Sequence, residues 1–175
     1  MKIKLFKISF LVLLFTSIAC NSYCQVKYSA KAEFGHLYYG SQLIRYERVE
    51  PSTSDFLTDK GGGNEINLIN GIILNRFLFM GIGLSYLKLN NANGVAPSLD
   101  VELLANQKKL SPLFNLKLGQ SFLKNDMGRK KSSTFGEFDF GLNYHLVPQL
   151  STYAKVGIQI TQNTSFLSIR GGVRF

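Results

Sequence analysis

The sequence has no tryptophan, and its 175 residues include only four prolines, two histidines and two cysteines, with charged residues at 18%. Each scarcity removes a class of protein. The two cysteines, Cys20 and Cys24, both lie near the start, so the remainder has neither a disulfide framework nor a thiolate metal cluster. His36 and His145 are not spaced with a second histidine, a cysteine or an acidic cluster as zinc ligands would be. No apolar run reaches the eighteen or more residues that a membrane-spanning helix requires. What the chain does hold is 16 Gly, 14 Phe and 8 Tyr in a composition 45% hydrophobic, too aromatic for disorder and too rich in glycine for a helical bundle. These proportions predict one all-β domain, which can cross a bilayer only as a closed barrel.

Residues 1–24 read as a secretory signal peptide. Lys2, Lys4 and Lys7 form a basic start, an apolar run extends from Ile8 to Ala19, and Ser22-Tyr23-Cys24 gives a small-residue end before Gln25. The run is about a dozen residues, too short for a membrane anchor. Cleavage after Cys24 removes both cysteines; lipidation at Cys20, after Ser17-Ile18-Ala19, is the second processing route. Removing the leader takes three bases away and leaves 17 Lys+Arg against 11 Asp+Glu, a charge of +6 in place of +9. A basic surplus can signal nucleic acid, but an exported chain does not meet it.

Turn residues and period-two alternation divide residues 25–175 into eight strands, expected at 26–38, 63–74, 77–88, 97–105, 111–122, 134–146, 150–161 and 165–175. Their connections alternate in length. Asn75-Arg76, Asn106 to Leu110 and Val147-Pro148-Gln149 are short; Tyr39 to Gly62 and Leu123 to Ser133 are longer, with Leu89 to Ala96 and Gln162 to Thr164 on the same side. The even count and the segregation of long from short loops predict an eight-stranded antiparallel up-and-down transmembrane barrel, with the short turns facing the periplasm.

Alternation assigns the two faces. In the last strand Leu167, Ile169, Gly171, Val173 and Phe175 oppose Ser168, Arg170, Gly172 and Arg174; in the sixth, Phe138, Phe140 and Leu142 oppose Glu137, Asp139 and Gly141. The polar face carries Lys27, Lys31, Lys117, Lys155, Arg170 and Arg174 against Glu33, Glu65, Asp100, Glu102, Glu137 and Asp139. That balance predicts ion pairs in a narrow interior, because an unpaired buried charge is costly. Neighbouring strands are expected to supply the partners: Lys117 with acids of strands four and six, Lys155 with those of strand six, Arg170 and Arg174 beside Glu33. Glycines on the same face, among them Gly35, Gly71, Gly81, Gly141 and Gly157, are expected to make room for the long side chains. Tyr28, Tyr38, Tyr86, Phe122, Tyr144 and Phe175 are candidates for interfacial girdles.

Three features carry a family resemblance: the leader ending before Gln25; the hairpin Gly71-Ile72-Ile73-Leu74-Asn75-Arg76-Phe77 running into Gly81-Ile82-Gly83-Leu84-Ser85-Tyr86; and the end Ile169-Arg170-Gly171-Gly172-Val173-Arg174-Phe175. With them residues 25–175 resemble the small outer-membrane β-barrels of the OmpA/OmpX type, most closely the porin-family barrel proteins of Bacteroidetes. The resemblance implies an outer-membrane location, lipid and lipopolysaccharide as surroundings, and a monomer without cofactor. It also implies insertion by the barrel-assembly machinery, which reads alternate apolar residues before a terminal Phe, here Val173 and Phe175. It names no activity.

A search for chemistry yields little. Outer-membrane deacylases of similar size use a His-x-Ser arrangement with a Glu, whereas His36 precedes Leu37-Tyr38 and His145 precedes Leu146-Val147. Gly61-Gly62-Gly63 lacks the Lys-Ser/Thr of a phosphate-binding loop. Lys124, Arg129, Lys130 and Lys131 form a basic outer loop suited either to plain solvation or to lipopolysaccharide phosphates. The loop Tyr39 to Gly62 mixes both charge signs with Tyr46 and Phe56, and its ligand is not legible. Four functions follow in order: a structural or loop-mediated envelope protein with a filled lumen, a narrow channel for ions or small solutes, a periplasmic lipid-binding barrel or lipoprotein, and last an enzyme.

Overall fold

The computed structural model describes residues 26–41, 62–90, 92–105, 109–125, 128, 130–147, 149–162 and 164–175. The leader with Cys20 and Cys24, nearly all of the first long loop, and Arg129 lie outside the described residues. Eight strands follow in chain order: β1 (Val26–Ser41), β2 (Gly63–Leu74), β3 (Leu78–Leu89), β4 (Ala92–Leu104), β5 (Leu110–Asn125), β6 (Lys130–Val147), β7 (Leu150–Thr161) and β8 (Ser165–Arg174). Each pairs antiparallel with its sequence neighbours, and β8 pairs with β1 to close the barrel. Closure satisfies the N–H and C=O groups that an open sheet edge would expose. It extends to Phe175, which exchanges backbone hydrogen bonds with Ala30 at 2.9 and 3.3 Å.

At the short-turn end Asn75 and Arg76 take φ of 50° and 65°. Two successive left-handed residues make the hairpin turn whose twist matches the flanking strands. Phe77, expected to begin β3 on the inward face, belongs instead to this turn and is exposed. At the other end the strands outrun the sequence reading. β4 begins at Ala92, not Pro97, and β5 and β6 extend to Asn125 and back from Lys130, absorbing most of the expected loop. Pro97 gave the misleading signal, since proline usually ends or begins a strand. It is tolerated here because the β4–β5 ladder lapses beside it, between Val95↔Phe122 and Ser98↔Gly119, so no donor to β5 is missed.

Two glycines show how tightly the wall is packed. A Cβ at Gly35 would stand 2.5 Å from Cγ of Arg170, its cross-strand partner, so the bare backbone seats the arginine stem. A Cβ at Gly157 would lie 2.1 Å from both the Phe138 carbonyl and Oδ1 of Asp139. Gly71 and Gly81 differ from the expectation: their space is taken by the ring of Phe79, not by a charged side chain.

Because backbone blocks the new side chain on one side and a buried carboxylate on the other, Gly157→Val is expected to abolish the compact heat-modifiable band on unboiled gels, whereas Gly171→Ala, whose Cβ would meet nothing nearer than the Tyr153 carbonyl at 3.7 Å, leaves that band in place.

Candidate functional site

The interior of the barrel is a slab of charge. Lys31, Glu33, Glu65, Asp100, Glu102, Lys117, Glu137, Asp139, Lys155, Arg170 and Arg174 are all buried, each 4% exposed or less. They occupy the odd positions of β1, β2, β5, β6 and β7 and the even positions of β4 and β8, which face one another because successive strand side chains alternate between faces. Lys27 shares the inward parity but is exposed at the short-turn mouth. The described buried set therefore has six acids to five bases, not an equal count.

Glu33 is the hub of this set. Its carboxylate receives Lys155 at 2.9 Å and Lys117 at 3.3 Å, with Lys31 at 3.9 Å. The Tyr153 hydroxyl and the Asn67 amide donate to it at 2.9 and 3.0 Å. Lys31 continues to Asp100 at 2.7 Å and Glu102 at 3.1 Å. Lys155 reaches Asp139 at 3.3 Å, and Arg170 pairs with Glu65 and Glu137. Arg174 pairs with Glu102.

Some partners are those expected on neighbouring strands: Lys155 meets Asp139 on β6, and Lys117, in register beside Asp100 and Glu137, lies 4.0 Å from Glu137. Others differ, since the Lys117 ammonium also crosses to Glu33 on β1 and comes closer to it, at 3.3 Å. Arg170 and Arg174 flank Gly172, the register partner of Glu33, but neither pairs with that carboxylate. Eight strands leave an interior narrow enough for side chains to fill, so a lysine or arginine stem reaches the far wall as easily as its neighbour. Parity could identify the members of the network, but the choice among them depends on tilt and diameter.

Above this slab, toward the long-loop end, the inward positions turn apolar. Leu37, Leu87, Ala92, Ala96, Leu123, Phe135 and Phe166 form one buried cluster, with Tyr39 and Leu89 packed against it. Tyr39 and Phe166 meet edge to face at 6.2 Å. The expectation of a polar inward face running the whole strand length fails here. Outside, polarity inverts at the same level: Lys88, Asn93, Lys124, Lys130, Ser132 and Thr134 are exposed. The signal was present in the sequence, because alternation continues through Leu123 and Phe135 with the apolar residues now on the other face.

Between the rims, the outward side is apolar. Phe34, Leu68, Ile82, Leu99, Leu118, Phe140, Ile158 and Ile169 are each about half exposed or more. The aromatic candidates Tyr28, Tyr38, Tyr86, Phe122, Tyr144 and Phe175 all face outward too. Val173 shares the outward parity of Phe175 on β8. Among the basic-loop residues, Lys124 and Lys130 are register partners, both exposed; Lys131 is half-buried opposite Leu123. No group of three or more His, Cys, Asp or Glu poised to hold a metal occurs among the described residues.

No family model matches the sequence, and no curated protein sequence is significantly similar to it. Solved structures do share the fold. Neisserial surface protein A superposes with a TM-score of 0.62 at 14% identity, over 85% of this chain and 97% of that one. The N-terminal β-barrel domain of Pseudomonas aeruginosa OprF gives 0.60 at 16%, over 86% and 100%. At these identities the likeness lies in the closed eight-stranded barrel itself.

The hub makes a quantitative test. Glu33→Gln strips two close lysines of their carboxylate, and breaking a buried pair from one side costs about 3–5 kcal/mol. Urea unfolding in lipid vesicles is expected to move to lower denaturant by that margin, with partial recovery on adding Lys155→Met. An unchanged midpoint would mean that Glu33 is dispensable.

Proposed function

We propose that this protein is an integral outer-membrane β-barrel, exported by the leader at residues 1–24, whose packed interior passes no solute and whose role is structural or exercised through its long-loop rim. The observation that carries the reading is the inverted distribution of polarity around the slab: charge inside, large apolar side chains outside. In water each exposed Leu, Ile or Phe forgoes roughly 1.5–3 kcal/mol of burial, a loss repeated around the wall. Against acyl chains that loss disappears, and among the described residues the closed ladder pairs the wall's strands throughout except for the lapse between β4 and β5 at Ala96 and Pro97. The outward tyrosines and phenylalanines near strand ends fit the two interfacial belts. Val173 and Phe175 offer alternate apolar side chains on β8 to the assembly machinery before β8 meets β1.

The inversion at the long-loop end supports a barrel that emerges from the bilayer. There the wall is polar outside and apolar inside, the arrangement water favours. Lys124, Lys130 and Lys131 stand at that emerging rim, and with Arg129 they suit the phosphates of lipopolysaccharide, where each cation near an anionic surface contributes ~1 kcal/mol. The alternative of a narrow channel has to contend with Glu33 and its lysines lying across the lumen, and with the apolar cluster above them.

Three measurements test the reading. The mature chain is expected in the detergent-soluble membrane fraction with heat-modifiable mobility; recovery in the aqueous fraction would favour a periplasmic lipid-binding barrel. In planar bilayers it should carry no steady current, and a reproducible unit conductance would favour the channel. Replacing Lys124, Arg129, Lys130 and Lys131 with Ser is expected to weaken lipopolysaccharide binding at least tenfold at low salt, and unaltered binding would remove that contact.

A further inference from the structure

The mouth at the short-turn end holds a cavity of about 750 Å³. It is bounded by the start of β1, the β2–β3 turn, the β4–β5 and β6–β7 connections and the end of β8, and it lies below the charge network. Its charged side chains are of one sign. Lys27, Arg76 and Arg174 face it beside the imidazole of His145, Lys109 stands at the rim with its ammonium 5.3 Å over the Tyr144 ring, and no side-chain carboxylate appears among the described lining residues, which include the last residue, Phe175. Apolar side chains share the wall, including Ile73, Leu104 and Leu150.

Arg174 is the informative member. It is 4% exposed and gives one guanidinium nitrogen, Nη2, to Glu102. Its plane is held near the rings of Phe79 and Tyr153, each centred 5.5 Å from Cζ. Its Nε and Nη1 are buried and hold no hydrogen bond. An arginine so fixed has Nε and Nη1 left over as donors, at the floor of a cavity whose other charged side chains are all positive. Buried donors of a cation without an acceptor are costly, and a charge-assisted hydrogen bond from the guanidinium to an oxyanion would relieve that cost.

We propose that this mouth binds an oxyanion attached to an apolar body, the phosphate or carboxylate of an amphiphile, with Arg174 as its principal donor and Lys27 and Arg76 as the outer cations. The apolar wall receives the hydrocarbon portion, and the cavity ends blindly at Arg174 and the network behind it, so the ligand docks without passing through. The site belongs to the barrel fold and not to its surroundings, and it stands whether or not the membrane reading holds.

The test titrates the folded chain with hexyl phosphate, hexanoate, inorganic phosphate and hexyl glucoside, read by calorimetry and by chemical shifts of the mouth residues. It is run in nanodiscs of zwitterionic phosphatidylcholine, or in plain buffer should the chain prove water-soluble, so failure to insert is scored separately from failure to bind. Saturable one-to-one binding of hexyl phosphate or hexanoate is expected, at least tenfold tighter than inorganic phosphate or hexyl glucoside, and whichever is tighter identifies the headgroup. Lys27→Gln combined with Arg76→Gly, which suits the left-handed turn position, should weaken binding at least tenfold while the barrel stays folded. Arg174→Lys, which keeps the charge beside Glu102 but loses the spare Nε and Nη1 donors, should do the same. Equal affinity for hexyl glucoside overturns the oxyanion, equal affinity for inorganic phosphate overturns the apolar body, and no effect of either variant overturns the site.

Discussion

The structure depends on one constraint: ionised side chains have been taken out of water and must find one another. Taking a carboxylate or ammonium out of water costs several kcal/mol even after relaxation, and mutual attraction offsets this only with close partners and satisfied hydrogen bonds. Glu33 meets the condition through two lysines within 3.3 Å, a tyrosine and an asparagine. None of these partners is available from β1 itself, since they come from β2, β5 and β7. The network therefore ties together strands that share no backbone hydrogen bonds, and the ladder and the side chains brace the wall in complementary directions.

Much of this was open to sequence reading because a strand has only one period. Lys117, Glu137, Asp139 and Arg170 could be assigned to a common face from alternation alone, and the closed order of strands followed from loop lengths. The partners were open to it only in part: Lys155 meets Asp139 and Lys117 meets Glu137 across neighbouring strands, as expected, but the closest contact of Lys117 was not. Register puts Lys117 beside Asp100, but its ammonium goes to Glu33, a choice made by barrel diameter and stem length. Boundaries failed where a local signal competed with the ladder: Pro97 suggested a strand start although β4 had begun at Ala92. Lys27 keeps the inward parity expected of it but is exposed at the mouth, because parity gives direction but not height, and height decides whether an inward residue is sealed.

Height also organises the rest. Along its axis the barrel presents three environments in succession: a cationic cup at the short-turn end, a salt-bridged middle, and an apolar cluster from Leu37 to Phe166 at the long-loop end. The outer wall changes in step, apolar around the middle and polar around the upper rim. A single alternating rule generates both halves of the wall; what changes is which face receives the apolar residue. The upper cluster resembles the inside of a water-soluble barrel, so the long loops spring from a rigid base that does not rely on lipid for its packing.

The hub has a consequence for biogenesis. Glu33 lies on the first strand, whereas Lys117 and Tyr153 follow it by 84 and 120 residues. On the proposed membrane reading, a nascent β1 entering hydrocarbon alone would carry Glu33 with only Lys31 beside it, and a later hairpin would carry ammonium groups without their carboxylate. Stepwise threading of single strands would thus be costly. A wall gathered in a wet, sheltered place and released sideways only when its two ends have met avoids that cost, which would make the timing of insertion a property written into residue 33.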